Sequence, residues 1–350
     1  MMNKIIYEDL ENIKNREIPW KKLRNKTVLI TGAYGMCASY VTYMLIHLNE
    51  EYQFGIQIIA LVRSREKAEQ RFGEYIARDY FVLRTDSLDD PLTIDENIDF
   101  IINSASFASP QYYSVCPVDV AKPNVIGTYH LLELVREKKV EGFLMFSTGD
   151  IYGVVMDGDA VTEESMGVVD PLDIHSCYSE SKRMAETLCK CYQQQYSVPV
   201  KIARIWHTYS PTMDIENDPR VFSSFVKNVV NCEDIVMKSA GTQKRTFCYI
   251  ADAVAGFFII LLSGVSGEAY NVCNTEQFVS IGELARTIVG LRPEYNLSVK
   301  RQKRDPSESY TENSAIGALV PSNQKLKELG WEPKFTIENG FDRVIKFFEC

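Results

Sequence analysis

Tyr178 and Lys182 stand four residues apart in Tyr178-Ser179-Glu180-Ser181-Lys182. On a helix that spacing puts both side chains on one face. An ammonium beside a phenol stabilises the phenolate, so the expectation is a tyrosine of lowered pKa acting as a base near neutral pH. Thirty residues before Tyr178 comes Ser147-Thr148-Gly149-Asp150, directly after an apolar stretch at 142–147 that reads as a buried strand. A hydroxyl emerging at that strand end, Thr148, can hold a substrate alcohol or carbonyl against the tyrosine oxygen. Alone, a Tyr-x-x-x-Lys is common on surface helices, so the pair acquires meaning only from its context.

That context is the stretch 27–40, TVLITGAYGMCASY. Val28, Leu29, Ile30 and Thr31 read as a short buried strand, Gly32, Gly35 and Ala38 follow at spacings of three, and the apolar run 40–48 continues as a helix. A strand, a glycine turn and a helix N-terminus together make an anion site. Free N–H groups and the helix dipole point at a phosphate, and positions without side chains let the backbone come close. The dinucleotide fingerprint requires this strand–turn–helix setting. Downstream of it, Thr148, Tyr178 and Lys182 read as an active site.

The elements that must position these residues alternate. Strands are expected at 57–62, 81–83, 100–103, 142–147 and 200–205, with helices between them that include 117–138 and 177–196. The alternation predicts an α/β fold, a Rossmann-like doubly wound parallel sheet covered on both faces. After about residue 206 the rhythm changes to loops, short strands and separated helices. The division expected is an N-terminal helical extension (1–26), a dinucleotide-binding Rossmann domain (27–206), and a mainly substrate-binding region (207–350) with some elements returning to the Rossmann domain. In the extension, Ile5, Leu10 and Ile13 mark one helix face, and Pro19 is expected to end that helix.

Composition narrows the class. The 350 residues are 45% hydrophobic and 24% charged, as in a soluble globular protein. A net charge of −9 argues against a nucleic-acid or anionic-membrane binder, both of which need a basic face. No apolar run reaches the length of a membrane span, and the N-terminus lacks the apolar core of a secretory signal. Nine cysteines lie scattered without a pairing pattern, which points to reduced thiols in the cytoplasm. Cys189 and Cys191 have no second ligand cluster, so no metal is expected.

From Thr27 to Phe348 the chain resembles the extended short-chain dehydrogenase/reductases that act on nucleotide sugars. The resemblance rests on the TGxxGxxA loop, Asn103-Ser104-Ala105-Ser106, Asn124, 147–153, Tyr178 with Lys182, Arg245 in GTQKRTFCYIAD, and Gly330-Trp331-Glu332-Pro333 before the last helix. It implies that Gly32, Tyr34, Gly35, Met36, Arg63, Asp86, Ser87, Ser104, Ala105, Ser106, Asn124, Tyr178 and Lys182 bind a retained NAD(P). Ser109, Tyr113, His207, Arg220 and Arg245 are implied to bind a nucleotide-diphosphate sugar, with Arg245 facing a phosphate. Family habit favours NAD, usually held by an acidic residue after the second strand. Here Arg63-Ser64-Arg65 stands at that point, and a guanidinium at Arg63 suits the 2′-phosphate of NADP, which tips the expectation slightly that way. The resemblance also implies a homodimer through the helices 117–138 and 177–196, with Leu131, Leu132, Leu134, Met184 and Leu188 as its apolar positions.

Within the family the pattern is similar to UDP-glucuronate decarboxylases at Ala108-Ser109-Pro110, Tyr113, Lys122 and SKRMAETLC. It departs from them at Thr148-Gly149-Asp150, at His207 and Thr212, and at Leu319-Val320-Pro321, where an Arg-Lys-Pro that positions the sugar carboxylate is absent. Lys303 and Arg304 are the cations near enough in sequence to substitute. Family chemistry runs through transient oxidation, usually at C4, with Tyr178 taking the hydroxyl proton. The resulting ketone leads on to epimerisation, loss of water or loss of carbon dioxide, and Asp150 is the residue best able to choose between them. Epimerisation at C4 is the expected route, since it needs only Thr148, Tyr178, Lys182 and the cofactor. A decarboxylase, a 4,6-dehydratase and a catalytically dead dinucleotide-binding regulator are the alternatives.

Overall fold

The structure, a computed structural model, describes residues 2–155, 160–302 and 320–349. Seven parallel strands form its centre. In chain order they begin with β1 (Thr27–Thr31), β2 (Gln57–Leu61), β3 (Phe81–Arg84), β4 (Phe100–Asn103), β5 (Gly142–Thr148) and β6 (Val200–Ile205). The strand Ala269–Val272 returns from the C-terminal part to pair with β6, giving the spatial order Ala269–Val272, β6, β5, β4, β1, β2, β3. Strand order reverses between β1 and β4, so a crevice opens at the carboxyl ends of those two strands, the usual ligand position in such sheets. The strands are mainly apolar because both faces are covered, β5 being buried along its whole length.

The helix after the glycine turn, α2 (Met36–Tyr52), is buried from Ala38 to Leu48 and carries Gly35 at its N-cap. The expected helix 117–138 is one continuous rod with a π-helical turn, Pro123–Gly127, between Pro117–Lys122 and Thr128–Lys138. Pro123 brings no N–H to the ladder, and the wider turn sets Asn124 into the core. The second long helix is Ser176–Tyr196.

At the N-terminus, α1 (Lys4–Lys14) differs from expectation in two ways. Its buried face carries Ile6, Asp9, Leu10 and Ile13, so Ile6 and not Ile5 points inward. It also ends at Lys14, before Pro19 is reached, with Asn15 as its cap. Fully buried Asp9 accepts from Tyr40 Oη (2.9 Å), Tyr249 Oη (2.6 Å) and Arg343 Nε (2.8 Å), which joins α1 to three separate elements.

Candidate active site

The phenol of Tyr178 lies at the carboxyl end of β5, hydrogen-bonded to the Thr148 hydroxyl. Thr148 ends β5 and caps the short helical turn after it, its Oγ1 accepting from Asp150 N (3.2 Å). Behind Tyr178 the ring of Tyr113 stacks at 5.2 Å and 13°. The two rings and Val120 form a small apolar cluster of their own.

Electrostatics in the free protein differ from the expectation of a lowered tyrosine pKa. Burial pushes the Tyr178 phenol well above its ordinary value; Asp150 raises it further, and the Thr148 hydrogen bond and Arg220 only partly offset this. Lys182 does not supply the missing attraction. Its ammonium donates to the Phe146 carbonyl at 2.7 Å, and burial lowers its pKa to about 8 against the pull of Glu186. Of the three N–H donors on an ammonium, that bond takes one. In the free protein burial thus favours the neutral phenol.

Asp150 opens to the cleft, but the protein walls around it raise its carboxyl's pKa, while Arg245 and Arg220 draw it down. Gly149 beside it has no room for a side chain, because a Cβ would stand 2.8 Å from the indole of Trp206. Trp206 stacks on Tyr152 and donates Nε1 to Asn271 Oδ1 at 3.0 Å, so the indole is held in place.

Residues expected around the cofactor assemble at the ends of β1 and β4. Gly32 has φ +63°, and a Cβ there would meet Ala105 Cα at 2.9 Å, so only glycine lets the two segments touch. Thr31 Oγ1 accepts from the N–H groups of Ser104 and Ala105 (both 3.1 Å) and donates to Asn103 Oδ1 (3.0 Å). Asn124 donates to Ser181 Oγ (2.9 Å) on the helix of Tyr178. The Oγ of Ser106 and Oδ1 of Asn124 are buried without a partner, as is the Oγ of Ser109. Tyr34, Gly35, Met36, Ser109 and Arg220 line a cavity of 860 Å³.

Other expected residues stand differently. The Arg63 guanidinium lies over the Phe107 ring, 4.2 Å from its centroid. Asp86 and Ser87 are exposed beyond β3, Asp86 being paired with Arg84 (2.8 Å). Arg220 is gripped by Asp218 (2.6 Å), and Arg245 donates to His207 Nε2 (2.8 Å). Lys303, Arg304 and Leu319 lie outside the described residues.

Trp206 was not singled out in the sequence, Thr31 only as a strand residue and Thr212 only as a departure from the family pattern. Thr212 donates to the Met36 carbonyl (3.1 Å) and ties the C-terminal part to the glycine turn. Thr31 had a signal, since it is the last strand residue before Gly32. Trp206 had none, because its partner Gly149 is 57 positions away.

Comparison with known proteins gives the family and the fold. The family model for the NAD dependent epimerase/dehydratase family matches residues 28–273. UDP-glucuronic acid decarboxylase 6 of Arabidopsis thaliana is 32% identical over 327 residues, covering 93% of this chain and 89% of the relative. UDP-glucuronic acid decarboxylase 1 of Xenopus tropicalis is 31% identical, covering 92% and 72%. Among solved structures, the UDP-glucose 4-epimerase of Thermotoga maritima superposes with a TM-score of 0.77 at 20% identity, over 92% of this chain and 98% of that one. The dTDP-glucose 4,6-dehydratase of Bacillus anthracis in complex with NAD gives 0.74 at 20%, over 93% and 96%. At that identity the structural likeness shows the fold.

Proposed function

The chain belongs to the NAD dependent epimerase/dehydratase family, and within it we propose a nucleotide-sugar 4-epimerase that works by transient oxidation at C4 with a retained NAD(P). The observation that carries this reading is the meeting of Thr148 and Tyr178 at the end of β5, beside a Gly149 that Trp206 keeps bare. Epimerisation needs one acid–base group that removes a hydroxyl proton and returns it. By the family resemblance, many sugar 4,6-dehydratases carry an aspartic acid where Gly149 stands, and here the indole of Trp206 lies within 2.8 Å of where its Cβ would be.

The residues present fit a dinucleotide. Ser106 Oγ and Asn124 Oδ1 are buried and unpartnered, and Lys182 retains donors beyond its bond to Phe146. Bound there, the dinucleotide supplies the acceptor, and afterwards the donor, of a hydride. Tyr178 takes and returns the C4 hydroxyl proton while Thr148 holds the same oxygen in line. Arg245, Arg220 and His207 receive the diphosphate, and Ser109 and Tyr113 bound the sugar. The region after residue 207 is thus mainly substrate-binding. The proposed assembly is a homodimer and the proposed compartment the cytoplasm; among the described residues no helix is long and apolar enough to cross a membrane.

A second reading, UDP-glucuronate decarboxylation, is supported by the relatives that match over nearly the whole chain. Against it, the expected carboxylate-binding cations are replaced, and the described part of that segment is apolar: Val320 and buried Pro321 pair by backbone with Val161. An unpaired carboxylate in such a site is costly. The dead-regulator reading leaves Thr148, Tyr178 and Lys182 without a purpose.

A panel of UDP-, CDP-, GDP- and dTDP-sugars, with products resolved by mass and NMR, tests the proposal. An epimer of unchanged mass supports it. Loss of carbon dioxide assigns the decarboxylase, loss of water the dehydratase, and no turnover of any sugar the regulator.

A further inference from the structure

Glu186 follows Tyr178 and Lys182 at the same spacing of four on the helix Ser176–Tyr196, so the three share one face. Each meets one of three consecutive residues at the carboxyl end of β5. Tyr178 bonds the Thr148 hydroxyl, Lys182 donates to the Phe146 carbonyl at 2.7 Å, and Glu186 accepts from the Ser147 hydroxyl. The carboxylate is itself gripped from β6, where Arg204 binds it as a fork through Nε to Oε1 (3.1 Å) and Nη2 to Oε2 (2.7 Å). Both side chains of that pair are 12% exposed. The remaining nitrogen of Arg204, Nη1, donates to Tyr152 Oη (2.9 Å) and to the Glu163 carbonyl (2.7 Å), which leaves the guanidinium little freedom.

We infer that Glu186 is a positioning residue of the reaction: fixed by Arg204, it ties the helix to Ser147 and so sets Tyr178 on Thr148 and Lys182 on Phe146. The inference rests on the nucleotide-sugar reading above and adds a residue that its mechanism does not use. A tie serving stability alone could be apolar without loss, because desolvating two charges offsets most of their attraction. An anion at this place does something an apolar pair cannot. Only Glu186 and Cys189, both on its own helix, act by charge on the Lys182 ammonium, and β5 faces it with a carbonyl. Against the burial that brings Lys182 down to about 8, the Glu186 carboxylate holds the proton on.

Two variants of the full chain with its retained cofactor test this. Ser147→Ala removes the hydroxyl and leaves the Glu186–Arg204 pair in place. It should lower kcat about tenfold on whichever nucleotide sugar the parent turns over, with KM unchanged. Glu186→Gln keeps an acceptor for Ser147 and removes the charge. With ¹⁵N-labelled lysine, and the Lys182 signal assigned by its loss in Lys182→Met, the ammonium should titrate at lower pH in Glu186→Gln than in the parent. The alkaline limb of kcat/KM should move the same way. A Ser147→Ala enzyme that loses stability but keeps the parent's kcat overturns the inference, as does a Lys182 titration that Glu186→Gln leaves in place. The titration needs no substrate, so it fails independently of the nucleotide-sugar reading. A parent that turns over no nucleotide sugar overturns that reading and the role of Glu186 in the reaction with it.

Discussion

Trp206 fills the space that a side chain on Gly149 would need: a Cβ there would come within 2.8 Å of the indole. Since Trp206 is itself held by Tyr152 and Asn271, it has little freedom to withdraw. Gly149→Asp should therefore lose about 1–3 kcal/mol of stability through overpacking and gain no dehydratase activity. Urea unfolding with a product assay checks both parts. A variant as stable as the parent would show that the indole yields.

Tyr178→Phe should lower turnover by about a hundredfold or more, since only the phenolic oxygen can exchange the proton, while cofactor remains bound. The anionic Asp150 carboxylate raises the Tyr178 pKa, so a neutral residue there must lower it. Asp150→Asn should shift the acid limb of the kcat/KM profile to lower pH, whatever it does to the maximum rate. An unmoved limb would separate Asp150 from the base.

Of the apolar positions suggested by the sequence, the homodimer is expected to use Met184 but not the leucines at 131, 132 and 134. Leu131, Leu132 and Leu134 are buried in the protomer's own core and Leu188 is half-buried, whereas Val118, Ile126, Tyr129, Met184 and Tyr196 on the same two helices are exposed. Joint replacement Tyr129→Glu with Met184→Glu should give a folded monomer by light scattering. A parent protein that is monomeric at micromolar concentration would end the proposal.

Arg63 sits on Phe107, where its planar edge still presents donors for a 2′-phosphate. Arg63→Ala should weaken NADP binding more than NAD binding. Denaturing the purified protein and identifying the released dinucleotide, then titrating apoprotein with both, checks this. Equal or tighter NAD binding, with a ratio untouched by the substitution, would leave Arg63 a packing role only.

Asp9 predicts a pH-dependent stability. Burial raises its pKa to about 6 from an ordinary 3.8, despite Arg343 and the two tyrosine hydroxyls. The folded state thus holds a proton that the unfolded chain releases. The stabilisation is complete below about pH 4 and is lost as pH rises through about 6, a swing on the order of 3 kcal/mol. Relative to Asp9→Asn, the parent should become less stable across that window. Parallel curves in thermal unfolding at several pH values would contradict it.

The order of the strands, the glycine turn and the Tyr178–Lys182 face could all be read from the sequence, because each depends on periodicity and turn chemistry within a few residues. The parallel sheet came from the alternation itself. Tertiary structure decided the partners. Lys182 spends a donor on Phe146, Trp206 closes the space beside Gly149, and Arg245 meets His207 Nε2. It also decided which apolar side chains face inward: Ile6 in place of Ile5, and Leu131, Leu132 and Leu134, which the sequence had suggested for a dimer surface. A helix pattern shows that an apolar face exists, but the surface it meets comes from residues far along the chain. Charge and hydrogen bonding in the site are set by those meetings, so they became visible only when the chain was folded.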